Sequence, residues 1–233
     1  MTSTLIIGAG FCAQEFLQVI PNSFCTELPA LATGKQIPFD INDENTWSHL
    51  PDFAQCIVTC KMTHENKSAK FAKLLHGKKT VVLSSAKCFK NVIADGEIDE
   101  NSPLNDNVRN SSEAHFLPFA AVLHLGLIWG PGREADRWIK EGRIKNGRKL
   151  VNFIHVKDLA KIVSHILSKD IKAGRYLVSD GRKIRWRDLA GKNQTPLNDR
   201  AVGTESKLFV TGKLREYLAY DFKFIDIRSS VGD

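Results

Sequence analysis

The chain opens with a short apolar segment that leads through glycines into a helical pattern. Residues 4–7 read Thr-Leu-Ile-Ile, which is typical of a buried parallel strand. Over residues 11–20, apolar side chains such as Phe16 and Ile20 recur at helical spacing, and Pro21 stops the pattern. The sequence therefore predicts a strand, a glycine turn and a helix as its first unit.

The same alternation of strands and helices continues along the chain. A second strand is expected within residues 27–33. Further strands are expected at residues 37–39, 56–60, 80–85, 120–125 and 151–154, and helices at 65–75, 108–116 and 156–167. This order predicts the α/β class, with a Rossmann-like, doubly wound parallel sheet. The pattern loosens beyond about residue 129, so we expect one domain over residues 1–233 whose small C-terminal lobe is formed mainly after residue 129.

Several classes of protein are disfavoured by composition. No apolar run approaches the ~20 residues that cross a bilayer, and the N-terminus lacks the pattern of a signal peptide. The five cysteines are scattered and form no paired CxxC motif of the kind that binds zinc. We therefore expect a cytoplasmic protein with reduced thiols, no metal site and no membrane partner.

The charge balance leaves one question open. Lys and Arg number 33 against 26 Asp and Glu, a net charge of +7, and the excess lies in residues 67–79, 133–149 and 182–187. Such an excess can serve nucleic acid, an anionic substrate or cofactor phosphates. In residues 67–79 it is more simply the solvated face of a helix, and Trp186 is expected to anchor a turn to the core.

The first strand is followed by Gly8-Ala9-Gly10-Phe11-Cys12-Ala13, the arrangement of a dinucleotide-binding turn. Gly8 permits the tight turn, and Gly10 lets the backbone approach a pyrophosphate because it has no Cβ. Ala13 allows close packing of helix on strand. The N-terminus of the helix then offers N–H groups and a positive dipole to the phosphates.

The residue after the second strand decides between NAD and NADP. In NAD-binding proteins an acidic side chain there accepts a hydrogen bond from the ribose 2′-OH. With the strand placed in residues 27–33 no such acid follows it, and residues 32–35 read Ala-Thr-Gly-Lys instead. The sequence therefore favours NADP over NAD, with Lys35 as ligand of the 2′-phosphate; a solvated loop lysine is the alternative.

Several segments in order resemble the short-chain dehydrogenase/reductase superfamily, and within it atypical members of the NAD-dependent epimerase/dehydratase family. They are LIIGAGFCA (5–13), FDI (39–41), VVLSSAKCF (81–89), IDENSPL (98–104), HLGLIWGPGR (124–133), NFIHVKDLA (152–160) and YLVSDG (176–181). The resemblance implies a Rossmann-like sheet that carries the cofactor, with a small lobe over its nicotinamide end.

By that resemblance, Asp40 would hydrogen-bond the adenine amine, Ile41 would pack near the ring, and Ser84 would lie beside the nicotinamide. His155 and Asp158 match a family motif, and we interpret them as a structural join between lobes. Together with the glycine turn, the predicted cofactor contacts are Gly8, Gly10, Phe11, Lys35, Asp40, Ile41 and Ser84.

The catalytic set of the family is incomplete. Its enzymes use a serine or threonine together with Tyr and Lys spaced as YxxxK, and Ser85 fits the serine position. Aligned on Glu113, the tyrosine position falls on Asn105 and the lysine position on Arg109. Asn105 is no general acid, whereas Arg109 keeps the charge that holds a ribose or phosphate. We therefore predict Ser85 and Arg109 as the remaining catalytic residues.

Three functions are compatible with these observations. The first is an oxidoreductase or epimerase of unusual chemistry on an unknown small molecule, its acid drawn from Ser85, Lys87, Cys88, His115 or His124. The histidines have simpler interpretations, His115 as a helix surface residue and His124 as a core residue. The second function is a non-catalytic NADP-binding sensor or structural partner. The third and least favoured is a nucleic-acid-associated protein. A monomer or a homodimer is expected in each case.

Overall fold

A computed structural model describes residues 2–29, 36–90, 96–190, 197, 206–218 and 224–230. The strands are β1 Thr4–Ile7, β2 Ser23–Glu27, β3 Ile37–Pro38, β4 Gln55–Val58, β5 Lys79–Ser85, β6 Gly96–Ile98, β7 Ala120–Leu125, β8 Leu127–Trp129, β9 Leu150–Val151, β10 Phe153–His155, β11 Gly174–Val178, β12 Ile184–Arg185 and β13 Lys207–Phe209. The α-helices are α1 Phe11–Val19, α2 Glu65–Leu75, α3 Val108–Ala114, α4 Ala135–Lys140, α5 Val156–Ser168, α6 Trp186–Leu189 and α7 Gly212–Leu218. Short 3-10 helices span Glu44–His49, Ala86–Cys88 and Ile227–Ser230.

The central sheet has seven strands in the order β11-β7-β5-β4-β1-β2-β3. The pairs β3–β2, β2–β1, β1–β4 and β4–β5 are parallel, as the near-continuous apolar strands predict. The chain proceeds from β1 outward to β2 on one side and returns to β4 on the other. The strand order therefore reverses between β1 and β4, which is where open α/β sheets bind ligands, at the carboxyl ends of the strands.

By Cα proximity the chain divides into two compact units, the first made of residues 1–88, 104–124 and 160–176. One cluster of its core lies on one face of the sheet, where strand side chains such as Leu5 and Val58 meet α2 through Phe71 and Leu75. All four side chains are fully buried, so the sheet and α2 hold each other by apolar burial. This unit contains β1 to β5 and α1 to α3.

The position of β2 corrects the sequence prediction. The strand spans Ser23–Glu27 instead of lying within residues 27–33. The chain turns back immediately after α1 through Asn22, whose φ of 52° is left-handed, and Ser23 then pairs with Thr4 of β1. Because this connection is so short, the strand begins earlier and ends on an acidic residue, Glu27.

The second unit consists of residues 89–103, 125–159 and 177–233. It holds three two-stranded sheets: β10 with β8, β13 with β6, and β12 with β9. The single strand expected at residues 151–154 is two strands with different partners. Asn152 separates them, because its side chain donates to the Lys207 carbonyl and accepts from the Phe209 N–H.

Aromatic side chains form the core of this unit. Trp186 is buried and packs edge-on against Trp138 and Phe153, as expected for a turn anchor.

His155 and Asp158 are also buried, and the Asp158 carboxylate accepts the backbone N–H of Ile225 at 2.7 Å. Their function as a join between lobes stays a prediction, as does the single-domain organisation. In the part of the chain that the structure describes, no helix has the length and hydropathy to cross a bilayer.

Candidate functional site

A cleft of about 670 Å³ opens at the carboxyl ends of β1, β2 and β4, all within the first unit. This is the edge of the sheet at which the strand order reverses. Its lining comes from the glycine turn and from the residues that follow β2, β3 and β4: Ile7, Gly8, Ala9, Gly10, Thr26, Glu27, Leu28, Phe39, Asp40, Ile41, Asn42, Thr59, Cys60, Lys61 and Thr63.

The turn at Gly8 is held by two threonines from the flanking strands. Gly8 has a left-handed φ of 106°, and its N–H donates to Thr26 Oγ1 at 3.0 Å. A Cβ at this position would lie 2.6 Å from Thr59 Oγ1, and Thr59 itself donates to the Ile7 carbonyl at 2.8 Å. Only glycine therefore fits this position, because both conformation and space exclude a side chain.

Gly10 has a different environment. It is exposed, it is the N-cap of α1 with an ordinary φ of −74°, and a Cβ would meet no protein atom within 4 Å among the described residues. The first turn of α1 carries no acidic side chain, and Gly10 provides no side-chain cap. The helix thus presents its positive end to the cleft with no acidic side chain in its own first turn, which favours an anionic ligand.

The loop after β3 positions two further predicted contacts, Asp40 and Ile41. Asp40 Oδ1 accepts the backbone N–H of Asn42 at 2.8 Å and its side-chain amide at 3.1 Å. The indole N–H of Trp47 donates to the Asp40 carbonyl at 3.1 Å. These bonds fix the loop internally and onto the 3-10 helix Glu44–His49, and Asp40 and Ile41 line the cleft.

The fold therefore gathers Gly8, Gly10, Asp40 and Ile41 around one cleft. Phe11, at the first position of α1, and Ser84 are not among the residues that line it. Lys35 lies outside the described residues.

Two charged residues of the cleft were missed by the sequence reasoning. Glu27 ends β2 and follows Gly8 by 19 residues, about the spacing at which dinucleotide-binding proteins have their acidic residue. Lys61 follows β4 closely and is the only Lys or Arg among the described residues that line the cleft. The spacing from Gly8 would have identified Glu27, had the strand boundary been placed correctly. No sequence signal identified Lys61.

The end of β5 carries the predicted serines in different environments. Ser84 is buried, and its hydroxyl donates to Glu113 Oε1 at 2.6 Å and lies 3.3 Å from the Cys88 sulfur. Ser85 is half-buried, and its Oγ accepts the Lys87 N–H at 3.2 Å. The Ser84 hydroxyl is thus hydrogen-bonded to a buried carboxyl group, whereas Ser85 is partly accessible.

The positions aligned with the missing Tyr and Lys are occupied by residues with internal partners. The Asn105 side chain donates to the Lys87 carbonyl at 2.9 Å, and its backbone N–H donates to the Cys88 carbonyl at 2.8 Å. Arg109 Nε lies 3.7 Å from Glu113 Oε1 in an i,i+4 ion pair on α3. These contacts hold α3 and its preceding loop against the end of β5.

Burial perturbs the titration of this region. It raises the pKa of the Glu113 carboxyl, against hydrogen bonding from Ser84 and the charge of Arg109. It also raises the pKa of the Cys88 thiol, with the nearby Glu113 acting in the same direction. Burial lowers the pKa of His124 to about 4. His124 is therefore a neutral, fully buried core residue at pH 7.

The remaining acid candidates, Lys87 and His115, are both exposed. His115 Nε2 lies 3.7 Å from Glu65 Oε1, which agrees with its interpretation as a helix surface residue.

No family model matches the sequence, and no curated protein matches it. Solved structures match it closely in shape. A dTDP-glucose 4,6-dehydratase from Bacillus anthracis in complex with NAD has a TM-score of 0.75 at 13% identity, over 99% of this chain and 96% of that one. An ADP-L-glycero-D-manno-heptose-6-epimerase from Helicobacter pylori has a TM-score of 0.72 at 16% identity, over 99% of this chain and 94% of that one. The human epimerase family protein SDR39U1 with NADPH has a TM-score of 0.71 at 16% identity, over 98% of this chain and 97% of that one.

These likenesses confirm the Rossmann-like α/β fold class. The fold is the one found in epimerases and dehydratases whose structures contain NAD or NADPH, so the resemblance seen in the sequence segments holds at the level of fold. At 13–16% identity the likeness carries no residue roles.

Proposed function

We propose that this protein binds a nicotinamide dinucleotide in the cleft above the N-terminus of α1. The observation that carries the proposal is the open space over Gly10 beside a helix end that lacks acidic residues. A pyrophosphate fits there because the backbone is approachable and the helix dipole favours negative charge. Lys61 adds a cation to the same cleft. The structural neighbours that contain NAD or NADPH support the same ligand class.

Within that class, we propose NAD as the preferred dinucleotide. Glu27 lines the cleft at the end of β2, where a carboxylate accepts hydrogen bonds from the ribose hydroxyls of NAD and repels the 2′-phosphate of NADP. The preference for NADP that Lys35 suggested was based on a strand boundary that the fold has moved. Glu27 is therefore the better guide to specificity.

Calorimetric titration with NADH and NADPH, for wild type and Glu27→Ala, tests this preference. Removing a charge-assisted hydrogen bond worth about 1.5–3 kcal/mol should weaken NADH binding about 10- to 100-fold and leave NADPH equal or improved. Glu15→Ala on α1, outside the lining of the cleft, is the matched control. Preferential NADPH binding by wild type would assign specificity to a cation such as Lys35.

We further propose that a bound dinucleotide serves oxidoreductase or epimerase chemistry, since hydride transfer is what this cofactor supplies. Ser85 is the half-buried hydroxyl at the end of β5 that would orient a substrate oxygen. Arg109 on α3, which is paired with Glu113, is the second predicted catalytic residue. The substrate class to test first is nucleotide sugars, since the neighbours named above include a dTDP-glucose dehydratase and an ADP-heptose epimerase.

A binding protein without turnover is the second candidate function. It is favoured by Asn105, which occupies the position of the proton-donating tyrosine. The side chain of Asn105 donates to the Lys87 carbonyl instead. Absorbance at the NADH wavelength and NMR of the products, over a panel of nucleotide sugars and carbonyl compounds, separate the two; the NMR is needed because an epimerase returns its hydride and leaves no net NADH. Substrate-dependent NADH change or product formation that disappears in Ser85→Ala supports the enzyme. Tight binding with neither signal across the panel supports the second candidate.

A further inference from the structure

Three potential metal ligands converge behind the end of β5. Cys88 ends the 3-10 helix Ala86–Cys88, Glu113 lies on α3 and His124 lies on β7. Their ligand atoms all lie within 4.8 Å of one another, and each residue is at most 2% exposed. All three belong to the first compact unit. We propose that Cys88, Glu113 and His124 form a zinc-binding site.

The spacing of sulfur and oxygen fits tetrahedral zinc. With Zn–S near 2.3 Å and Zn–O near 2.0 Å, a tetrahedral centre separates these two ligands by about 3.5 Å. Cys88 Sγ lies 3.7 Å from Glu113 Oε2 and 3.9 Å from Oε1. Zinc bound between sulfur and Oε2 therefore needs only a small shift of either side chain.

The two oxygens of Glu113 are divided between two tasks. Oε1 accepts the Ser84 hydroxyl at 2.6 Å and faces Arg109 Nε at 3.7 Å. Oε2 is the oxygen nearer to the Cys88 sulfur. This division is typical of a ligating carboxylate, whose outer oxygen is held by hydrogen bonds that orient the inner one.

His124 is arranged as a ligand as well. Its Nδ1 lies 3.4 Å from the Ser85 carbonyl oxygen, so donation to that oxygen places the lone pair on Nε2, the nitrogen that metals bind most often.

The donor set and its charge select the metal. A thiolate, an imidazole and a carboxylate suit zinc and exclude magnesium or calcium, which take oxygen ligands. Zinc also offsets the negative charges of a buried thiolate and a buried carboxylate. Three protein ligands leave the fourth position of a tetrahedral zinc to a water or another small ligand. None of the three residues lines the dinucleotide cleft, and neither proposal depends on the other.

Cobalt(II) titration of chelator-treated protein tests the proposal, because thiolate-bound cobalt has a charge-transfer band in the near ultraviolet and tetrahedral cobalt absorbs strongly in the visible. We expect one cobalt per chain, with both signals lost on addition of zinc. Cys88→Ser should abolish the charge-transfer band. Cys56→Ser, which changes an equally buried cysteine on β4, should leave the band and the stoichiometry unchanged.

X-ray absorption of the zinc-loaded wild type gives a result that needs no variant to fold. One sulfur at about 2.3 Å and nitrogen or oxygen ligands at about 2.0–2.2 Å are expected. A cobalt complex without a thiolate band, a band that survives in Cys88→Ser, or a zinc site with no sulfur would overturn the proposal. The three residues would then be a buried hydrogen-bonding cluster only.

Discussion

At the scale of single residues, the two glycines of the turn differ in what they permit. Gly8 is fixed by a left-handed φ of 106° and by the Thr59 hydroxyl, which would lie only 2.6 Å from a Cβ at this position. Gly10 has an ordinary backbone conformation and open space in front of it. The fold therefore requires the first glycine but not the second, whose substitution should matter only to the proposed ligand, and this makes the two substitutions distinguishable.

We expect Gly10→Asp to abolish dinucleotide binding without loss of stability. Aspartate is a favoured N-cap, so the free energy of unfolding should stay within about 0.5 kcal/mol of wild type or rise. Its carboxylate would occupy and repel the pyrophosphate position. Gly8→Ala should instead destabilise the fold by on the order of 2–3 kcal/mol, through backbone strain and the Thr59 clash. Urea unfolding and calorimetric titration measure both effects.

A pH dependence is expected from His124. Its pKa is about 4 in the folded state against about 6.5 in an unfolded chain, because burial and the charges of Arg175 and Arg109 oppose protonation. The unfolded state therefore takes up the proton first as the pH falls below 6.5. Stability should be lost progressively down to about pH 4, by about 3 kcal/mol in total.

The measurement is urea unfolding of chelator-treated wild type and His124→Gln between pH 7 and pH 4.5. The variant should lose less stability than wild type over this range. The buried Glu113 opposes the trend in both proteins, because its raised pKa favours the folded state as the pH falls. Equal slopes for the two proteins would contradict the assignment of the titration to His124.

At the scale of elements, the solvated and buried faces of α2 separate as the sequence pattern predicts, with one exception: Leu74, expected on the buried side, is 44% exposed. In α2 the apolar Phe71 and Leu75 are buried, while Lys67 and Lys70 pair with Glu44 at 2.6 and 3.0 Å. The lysines of this helix therefore behave as a solvated face. In the second unit, α6 and α4 are held together by their tryptophans rather than by charge.

Trp186→Ala is expected to destabilise the second unit by about 3–5 kcal/mol, because it removes a buried ring that contacts Trp138 and Phe153. Lys183→Ala is the control. Its exposed ion pair with Glu97 at 3.3 Å should contribute no more than about 1 kcal/mol. Urea unfolding compares the two variants, and equal effects would contradict a core role for Trp186.

At the scale of the whole molecule, the proposed dinucleotide cleft is built entirely from the first compact unit. A ligand that binds only the folded state stabilises it by about 2.7 kcal/mol at 100 times Kd. Saturating NADH should therefore raise the Tm by about 5–10 °C. Scanning calorimetry measures the shift, and Gly10→Asp should show none.

The same scan tests how the two units cooperate. If they unfold in separate transitions, only the transition of the first unit should move with NADH. A shift confined to the transition of the second unit would contradict the location of the cleft. The Trp186→Ala variant identifies that second transition, because the core cluster that contains Trp186 lies wholly in the second unit.

The sequence by itself determined the fold class, the glycine turn and most elements. Local pattern suffices for these: α2 was placed at its observed residues, and α1, α5, β5 and β7 were correct to within one residue. A helix or strand is recognised by which of its own residues are apolar. Gly8 and Gly10 came from the glycine motif, and Asp40 and Ile41 came from the family resemblance of a short segment; all four line the cleft.

The tertiary structure decided what depends on connection length and strand neighbours. The short turn through Asn22 moved β2 and made Glu27 its last residue, and the adjacency of β4 to β1 brought Lys61 into the cleft. Cys88, Glu113 and His124 lie on three separate elements. No local pattern relates such residues, because their distances are set by how the elements pack and which strands are neighbours in the sheet.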